Sequence, residues 1–494
     1  MARFLCELPR AACVVLACHF VWFFVKVAAA RAQYPYDLEW MESGMLEHVR
    51  RVLSGQQLYQ PPSAHFVPFI YNPLFYYLSA VATWFVGPQL FALRLVSILA
   101  TLASFALIFE LVRRETGKLS AAVFAAGAYA GTYELMDAWF DLARVDTLAT
   151  ALTLATLLCA RFARSWRGIM LSALLSWLAF EAKQPALALV PAVTLFFLLR
   201  LGLRQAIDFL LAAITLIGGS VLVFHLMTDG WYTYYAFRLG AAHEMLNTQA
   251  EYFWRREILA AVPIALSLGL FFIFGPVKRY SGEARVFYAL FSATLVFMAF
   301  TSRWHSGSWV NDLMPAYAAA PLLLGVGAGA LLEWSEDNKA LASALTGSVV
   351  LLQLLLFTGV QRDWVPNASD LREGQRLLNY IAAKPGPVLM TSNSHMPRMV
   401  GKPTYAHGMA VLDVERSNVD FMGAKERLRD SIEAEFAARR WSVVLATEAK
   451  HYFSLPEQRY DRIDPPYVVE SQGLIAKSGA PFKPVLVYVP RAKL

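Results

Sequence analysis

The sequence contains 494 residues, of which 57% are hydrophobic and only 16% are charged, and its formal net charge is +7. Because soluble domains carry about 25% charged residues, this composition is typical of a polytopic membrane protein. The basic residues form small groups between apolar segments, as cytoplasmic membrane loops do, and this argues against a nucleic-acid-binding patch. No cysteine follows Cys159, which excludes a disulfide framework or a thiolate zinc site in the C-terminal region.

Apolar stretches predict about eleven membrane-spanning helices, since about 17–25 such residues cross a bilayer. They lie near 11–30, 90–112, 119–136, 147–163, 168–182, 185–200, 206–226, 257–276, 285–301, 312–332 and 340–360. The first could also be a cleavable signal peptide, with Arg3 and Arg10 ahead of it. It extends to about Ala30, however, and we interpret it as an uncleaved anchor.

The aromatic segment 73–87 follows Tyr71-Asn72-Pro73 and is the ambiguous one. If it spanned the bilayer, the basic residues from Arg113 to Lys118 would face outward, against the positive-inside rule. We therefore predict an interfacial helix here. This topology places the N-terminus in the cytoplasm and the C-terminus outside.

Four loops then share the outer face: 31–89, 137–146, 227–256 and 302–311. The third is rich in tryptophan, tyrosine and phenylalanine, which are typical of a lipid headgroup interface. Candidate functional residues also concentrate in these loops.

Residues 361–494 are richer in charge and proline and contain no spanning segment, so we divide the chain into a membrane module, 1–360, and a soluble domain, 361–494. In the second part, predicted helices alternate with predicted strands: helices near 369–383 and 423–440, and strands from Pro387, Trp441 and Pro484. This alternation predicts a small α/β domain, which the topology places in the periplasm.

Three acids, Asp37, Glu39 and Glu42, lie where the chain leaves the first helix. Transfer of a sugar to a hydroxyl needs a base, and one carboxylate suffices when the leaving group is a phosphate. A solvated loop before a helix, with Glu42 favoured by the helix dipole, is an equally good interpretation of the residue types alone.

Two further motifs carry cations. In FDLARVD, Arg144 is a candidate phosphate ligand, and Asp146 could hold that arginine or an ion, although an N-cap with a local ion pair explains the pattern as well. In FEAKQP, Lys183 is our preferred ligand for a leaving phosphate. The alternative for Lys183 is a tight turn with a snorkelling side chain.

The last motif, SRWHSGSWVND, places Arg303, His305, Asn311 and Asp312 in one short outer loop. Gly307 permits a close turn there. Aromatic faces and polar side chains together are suited to sugar binding, whereas one histidine is weak support for a metal site.

In this order, the motifs resemble the GT-C superfamily of polytopic glycosyltransferases, above all the bacterial family-39-type proteins related to protein O-mannosyltransferases and the lipid A aminoarabinose transferase. The matching features follow one another along the chain: the acidic loop Glu39 to Gly44, Leu46…Gly55…Leu58-Tyr59, Tyr71-Asn72-Pro73-Leu74, Arg144-Val145-Asp146, Lys183-Gln184-Pro185, Ser306…Asn311 and Gly401-Lys402-Pro403. The resemblance implies a polyprenyl-phosphate-linked sugar donor, transfer on the periplasmic side and an outer-loop carboxylate as base.

We therefore predict a glycosyltransferase of the bacterial inner membrane that moves a sugar, with inversion, from a polyprenyl-phosphate donor to a periplasmic glycan, lipid or protein. Glu42, or alternatively Glu39 or Asp37, is the predicted base, and Lys183 and Arg144 stabilise the leaving phosphate. The predicted binding residues are Tyr71, Asn72, Arg144, Asp146, Lys183, Gln184, Arg303, His305 and Asn311. Membrane lipids are expected partners and nucleic acid is not. No cofactor is assigned, and a divalent metal ion is left open.

Two other classes of function fit the composition. A transporter or flippase for lipid-linked saccharides would place charges near the bilayer midplane, but His19, Lys26 and Glu110 are few and near helix ends. A non-catalytic envelope assembly protein would leave the outer acids facing bulk water.

Overall fold

A computed structural model describes residues 2–334, 339–359, 362–447, 459–468 and 473–491. The helices of the membrane module are α1 Ala2–Arg31, α2 Glu42–Leu53, α3 Leu74–Val86, α4 Leu90–Thr116, α5 Leu119–Leu135, α6 Asp146–Phe162, α7 Trp166–Ala182, α8 Leu189–Arg200, α9 Leu203–Met227, α10 Trp231–Thr233, α11 Asn247–Tyr252, α12 Pro263–Phe274, α13 Gly282–Arg303, α14 Met314–Trp334 and α15 Lys339–Leu355. The later elements are α16 Ala368–Ala382, β1 Val388–Met390, α17 Met396–Met399, α18 Gly408–Glu415, α19 Ala424–Ala437, β2 Val443–Thr447, β3 Tyr460–Ile463 and β4 Pro484–Pro490.

All eleven apolar segments predicted from the sequence are helical, but the eighth is broken. A π-helical stretch, Phe253–Ala260, follows α11, and the chain then bends by 76° into α12. Pro263 at the start of α12 explains the break, because proline has no N–H and disfavours helix in the residue before it. Among the described residues, five helices are long and apolar enough to span a membrane, or six with the bent pair. The predicted total of eleven spans stays a prediction.

Helix α3 occupies the ambiguous segment. Its 13 residues give a length of about 20 Å, which is less than the roughly 30 Å of a bilayer core. Trp84 and Phe85 are 75% and 80% exposed, as suits the aromatic face of an interfacial helix. The length of α3 therefore supports the non-spanning interpretation.

Small residues let the helices pack closely around α14, which is buried along most of its length. A Cβ added at Gly327 would lie 2.4 Å from the carbonyl oxygen of Leu268 in α12, and one at Gly325 would overlap Ala125 and Val112. Close backbone approach of this kind is the usual basis of helix packing in membranes. It makes α14 a fixed wall behind the candidate site.

The C-terminal region contains a four-stranded sheet in the order β1-β2-β4-β3. β1 is parallel to β2, and β4 runs antiparallel to both of its neighbours. The α/β prediction is confirmed, and the three predicted strands are present. β3, α17 and α18 were missed. β3 is short, charged and mostly exposed and therefore lacks an apolar sequence pattern, and the two helices have only four and eight residues. The predicted boundary at 360/361 lies outside the described residues.

The C-terminal α/β region packs directly on the loop that follows α1. The backbone N–H groups of Lys477 and Ser478 both donate to the carbonyl of Leu38, and that of Ala406 donates to Ala64. The domain therefore covers the acids that follow α1.

Candidate active site

A buried ion pair fixes Glu42. Both side chains are fully buried, and the Nε and Nη2 atoms of Arg94 donate to the two carboxylate oxygens over 2.9 and 2.6 Å. The backbone N–H groups of Leu38 and Ala143 donate to the same oxygens, over 2.7 and 2.8 Å. Burial opposes ionisation, but Arg94 and these hydrogen bonds outweigh it and place the pKa of Glu42 below its ordinary value. Glu42 thus ties the first loop to α4 and to the loop before α6.

Asp37 points to the C-terminal domain instead. Its Oδ2 accepts from the hydroxyl of Ser43 over 2.8 Å and from the backbone N–H of Asn393 over 3.2 Å. The backbone N–H of Asp37 donates back to the Asn393 side chain. Burial, with the negative charge of Glu42, raises the pKa of Asp37. Asp37 is therefore part of the domain junction.

Glu39 is held less tightly than Glu42. Its carboxylate accepts one backbone hydrogen bond, from Met41 over 3.1 Å, and lies 3.3–3.4 Å from Nη1 of Arg144. Burial raises its pKa to about 7, although the charge of Arg144 opposes the shift. A carboxylate with this pKa is half ionised at neutral pH, which is suited to a general base.

Arg144 links Glu39 to the substrate-sized cavity described below. Its Nη2 donates to the hydroxyl of Tyr71 over 2.6 Å, and its guanidinium lies 5.4 Å from the ring centroids of Tyr71 and Trp139. Its Nε is buried without a hydrogen-bond partner among the described residues. Arg144 thus has a donor that an anionic ligand could use.

Lys183 bridges two acids. Its Nζ donates to Oδ1 of Asp146 over 2.6 Å and to Oδ1 of Asp312 over 2.8 Å, and Asn311 donates to Asp146 over 2.9 Å. Burial favours the neutral amine, but the two carboxylates outweigh it and raise the pKa of Lys183. The lysine is therefore a permanent positive charge at the base of the site.

Other predicted site residues hold this arrangement together. Asn72 donates to the carbonyl of Phe180 over 2.7 Å, and Gln184 donates to those of Ile70 and Ala236 over 2.5 and 3.1 Å. These bonds join the loop before α3 to the end of α7. Asn72 and Gln184 therefore position neighbouring elements through backbone carbonyls.

Arg303 and His305 occupy the loop after α13. Arg303 is buried and makes a bidentate ion pair with Glu257 at 2.9–3.1 Å, so it secures the loop. His305 lines the cavity, and its Nδ1 is buried without a partner among the described residues. Gly307 has a φ of +84°, and a Cβ there would overlap the guanidinium of Arg416. The close turn predicted at Gly307 is confirmed.

Some of these residues line a cavity of about 1200 Å³, a volume that includes its open mouth. Its walls combine polar and charged groups with aromatic rings: Trp40, Tyr71, Arg144, Lys183, Gln184, Tyr235, His305, Trp309, Asn311, Asp312, Asp413 and Arg416. We call it the polar chamber. Six of the predicted site residues are among these walls, namely Tyr71, Arg144, Lys183, Gln184, His305 and Asn311, whereas Asp37, Glu39, Glu42, Asn72, Asp146 and Arg303 are not.

An apolar cleft of about 430 Å³ continues from the polar chamber between α6, α13 and α14. Lys183, Ser302, Asn311 and Asp312 line both spaces. The rest of the cleft is mainly aliphatic, with Leu154, Leu295, Met298 and Ala318 among its walls. The cleft volume includes open solvent, so what the two spaces share is a border at which polar, charged walls give way to aliphatic ones.

Sequence reasoning missed Arg94 and Trp40. Arg94 was detectable as a charge inside the apolar segment 90–112, which is costly unless a partner is present. Trp40, whose ring lies 5.2 Å from that of Trp309, carries no such signal. Its role depends on which elements meet in three dimensions.

A metal ligand set is not evident in the described residues, where no group of three or more His, Cys, Asp or Glu side chains could hold an ion. The carboxylates of Asp146 and Asp312 are bridged by the ammonium group of Lys183. A divalent ion is therefore not assigned to any residue.

Comparison with known proteins supports the resemblance. The family model for dolichyl-phosphate-mannose-protein mannosyltransferase matches residues 67–225, which include Tyr71, Arg144 and Lys183. No curated protein matches the sequence.

Solved structures match nearly the whole chain. ArnT from Cupriavidus metallidurans bound to undecaprenyl phosphate has a TM-score of 0.56 at 13% identity, with 95% of this chain and 98% of that chain covered. The oligosaccharyltransferase AglB from Archaeoglobus fulgidus, in complex with an inhibitory peptide and a dolichol-phosphate, has a TM-score of 0.52 at 11% identity, covering 88% and 69%. A second structure of the A. fulgidus oligosaccharyltransferase, with zinc and sulfate, has a TM-score of 0.51 at 11% identity, covering 92% and 72%. The chain is thus a membrane protein with the fold of the GT-C superfamily.

Proposed function

We propose that the protein is a glycosyltransferase that takes a sugar from a polyprenyl-phosphate donor. The observation that carries this proposal is the continuity, at Lys183, of an apolar cleft with a polar chamber that holds Arg144, Lys183 and Arg416. A polyprenyl phosphate has the same two parts, an anionic head and a long hydrocarbon tail. The similar structures that contain undecaprenyl phosphate or dolichol-phosphate support the same class of ligand.

Lys183 and Arg144 are the proposed ligands of the leaving phosphate. Lys183 lies where the chamber meets the cleft, so a phosphate beside its ammonium group would leave the hydrocarbon tail in the cleft. Fixed positive charges in a site of low water content stabilise negative charge that develops in the transition state. Asn311, already bonded to Asp146, orients the carboxylate beside Lys183.

Glu39 is the proposed base, in preference to Glu42 and Asp37. Both oxygens of Glu42 accept strong hydrogen bonds, and Asp37 is turned to the C-terminal domain. In the reaction, Glu39 takes the proton of the acceptor hydroxyl while the hydroxyl oxygen bonds to the anomeric carbon. The bond from that carbon to the phosphate oxygen breaks, its electron pair leaves with the phosphate, and the configuration inverts.

The proposed location is the inner membrane of a bacterium, with the site and the C-terminal domain on the periplasmic side. Impermeant maleimide labelling of single cysteines checks this arrangement. Glu251→Cys, an exposed position in loop 227–256, should react in intact cells, and Lys278→Cys only after lysis. The reverse pattern would overturn the proposed orientation.

The main test uses the purified full-length protein in lipid nanodiscs, with lipid-linked sugars from a deletion strain and an extract of its envelope. Mass spectrometry should detect loss of the lipid-linked sugar and release of free polyprenyl phosphate. Lys183→Gln should reduce the release rate by about 10²–10³-fold, as removal of one preorganised electrostatic group does. Lys278→Gln, a matched change at an exposed lysine, should behave like the wild type.

The same experiment separates a transferase from a flippase. A flippase moves the lipid-linked sugar across the bilayer without cleaving it, so no polyprenyl phosphate would appear. If the lipid-linked sugar stays intact after incubation with the folded wild-type protein and the envelope extract, the proposal is overturned.

A further inference from the structure

A second cavity lies between the membrane module and the C-terminal domain. It encloses about 1630 Å³ with its mouth, and its walls include Trp40, Trp309, Thr391, Ser392, Leu412 and Thr447. We call it the domain chamber. Resting on the proposed function, we propose that the domain chamber binds the acceptor, that this acceptor is a saccharide, and that Trp40 separates it from the donor.

The domain chamber lies at one edge of the C-terminal sheet. Thr391 follows the carboxyl end of β1, Thr447 ends β2, and Val485 lies at the start of the antiparallel β4. All three therefore lie at one edge of the sheet, the carboxyl edge of its parallel pair. Ligands of open α/β sheets bind at this edge, outside the carboxyl ends of the strands.

Unsatisfied polar groups are the second argument. Within the described residues, the hydroxyls of Thr391 and Ser392 and the indole Nε1 of Trp40 are buried and have no hydrogen-bond partner. Thr391 is 2% exposed and Ser392 is 5% exposed. Buried polar groups are nearly always paired, so three such groups around one cavity indicate a ligand with several hydrogen-bonding atoms.

The connection to the polar chamber is the third argument. Trp40, Ser308, Trp309 and Arg416 line both cavities. Trp40 directly follows Glu39 in the chain, and its ring packs edge-on against that of Trp309 at 88°. A ligand in the domain chamber would therefore lie beside Trp40, the residue that follows the proposed base Glu39 in the chain.

The wall chemistry indicates a saccharide. Sugars present apolar C–H faces together with hydroxyls in several directions, and the chamber offers indole faces and isolated alcohol groups. Polypeptides are usually bound along a free strand edge or in a helix-sized apolar groove. The described walls contain strand ends, Thr391, Thr447 and Val485, rather than a strand edge.

Photocrosslinking in cells tests the proposal, because it captures whichever acceptor the cell supplies. A diazirine amino acid replaces Leu412, which lines the domain chamber, in the full-length protein expressed in its source organism. After irradiation, purification and digestion, mass spectrometry of the labelled peptide should show adducts that yield sugar fragment ions. Leu371, exposed on α16, is the matched control position and should give none above background.

A second diazirine at Met298, in the apolar cleft, keeps the two proposals distinguishable. Polyprenyl adducts at Met298 without saccharide adducts at Leu412 would overturn the acceptor proposal and leave the proposed function in place. Absence of polyprenyl adducts at Met298 would count against the proposed function. Peptide or purely lipid adducts at Leu412 would also overturn the saccharide proposal.

A double variant tests whether the adducts at Leu412 depend on specific binding in the domain chamber. Thr391→Val together with Ser392→Ala removes both unpaired hydroxyls and conserves much of their volume. Each lost hydrogen bond should weaken binding by about fivefold, so saccharide adducts at Leu412 should fall by at least that factor. Polyprenyl adducts at Met298 should not change. Saccharide adducts that persist at wild-type level in this variant would contradict the assignment.

Discussion

Two buried clusters of charge lie a few residues apart in the first outer loop, and they differ in how fully they are satisfied. Around Glu42, four donors meet two carboxylate oxygens at 2.6–2.9 Å. Around Glu39, one backbone N–H lies at 3.1 Å and the nearest cation at 3.3 Å. Complete networks hold a structure, whereas incomplete ones are where a ligand adds the missing bonds.

Both clusters are equally buried, so burial alone does not separate a structural acid from a reactive one. Arg31 and Asp141 form another complete pair, at 2.6–2.7 Å and with both side chains fully buried. The complete pairs therefore fix α1, α4 and the loop before α6. This fixed frame positions the incomplete cluster around Glu39. The predictions below separate the two roles.

The largest expected effect is on catalysis, at Glu39. Glu39→Gln keeps the shape of the side chain and removes its basicity, so sugar transfer should fall by about 10²–10⁴-fold, the usual contribution of a general base. The thermal unfolding temperature should stay close to that of the wild type. The measurement is release of polyprenyl phosphate in nanodiscs, with Glu251→Gln, an exposed outer-loop acid, as control.

Near-normal transfer by Glu39→Gln would show that the base lies elsewhere among the acids of the site. Glu42 and Asp37, which the sequence also offered, would then be tested with the same amide substitution.

The next effect is on stability, at the complete pair. Arg94→Ala leaves the Glu42 carboxylate buried without its partner, and breaking a buried ion pair in this way costs about 3–5 kcal/mol. The variant should unfold at a clearly lower temperature in detergent, as followed by tryptophan fluorescence. The double variant Arg94→Leu with Glu42→Leu should recover part of the loss, because no unpaired charge is left.

If Arg94→Ala unfolds like the wild type and only activity falls, the complete pair would not be the structural element described above. The two clusters would then differ in their roles in the reaction and not in their contributions to stability.

The sequence predicted the helical segments and the α/β domain, because hydrophobic length and alternation are local signals. It also placed Arg144, Lys183 and Asn311 in or beside the candidate loops, but their contacts with Asp146 are seen only in the structure. It favoured Glu42 as the base, with Glu39 and Asp37 as alternatives, because nothing local showed which of these acids has a partner. Arg94, which forms the ion pair with Glu42, lies 52 residues further along the chain. The domain chamber was equally hidden, since its walls come from the first loop, the loop after α13 and the ends of three strands.

A change of pH is expected to have an intermediate effect on the rate of sugar transfer. Burial raises the pKa of Glu39 to about 7, and only the ionised form accepts a proton. Transfer should therefore rise with pH up to about 7–8 and fall by up to tenfold for each pH unit below the pKa. The residual activity of Glu39→Gln should lack this inflection, which distinguishes Glu39 from other titrating groups.

Unfolding does not account for such a decline. A carboxyl whose pKa is higher in the folded state than in the unfolded state binds more protons when folded, so Glu39 contributes less stability as pH rises from about 4.5 to 7. Acidification from pH 7 to pH 6 thus stabilises the fold at this residue while it removes the base. A wild-type rate that is flat from pH 5.5 to 8 would contradict the assignment.

The smallest effect is expected at Asp37, where the first loop meets the C-terminal domain. Asp37→Ala removes the acceptor of the Ser43 hydroxyl and the Asn393 N–H, at 2.8 and 3.2 Å, which should cost about 1 kcal/mol. Hydrogen exchange should become faster in residues 391–395 and leave α14 unchanged, and Asp430→Ala on the exposed face of α19 is the control. Because residues 391 and 392 line the domain chamber, saccharide capture at Leu412 should weaken in parallel, whereas polyprenyl capture at Met298 should not. Faster exchange without any loss of capture would mean that the junction holds the domain but does not shape the chamber.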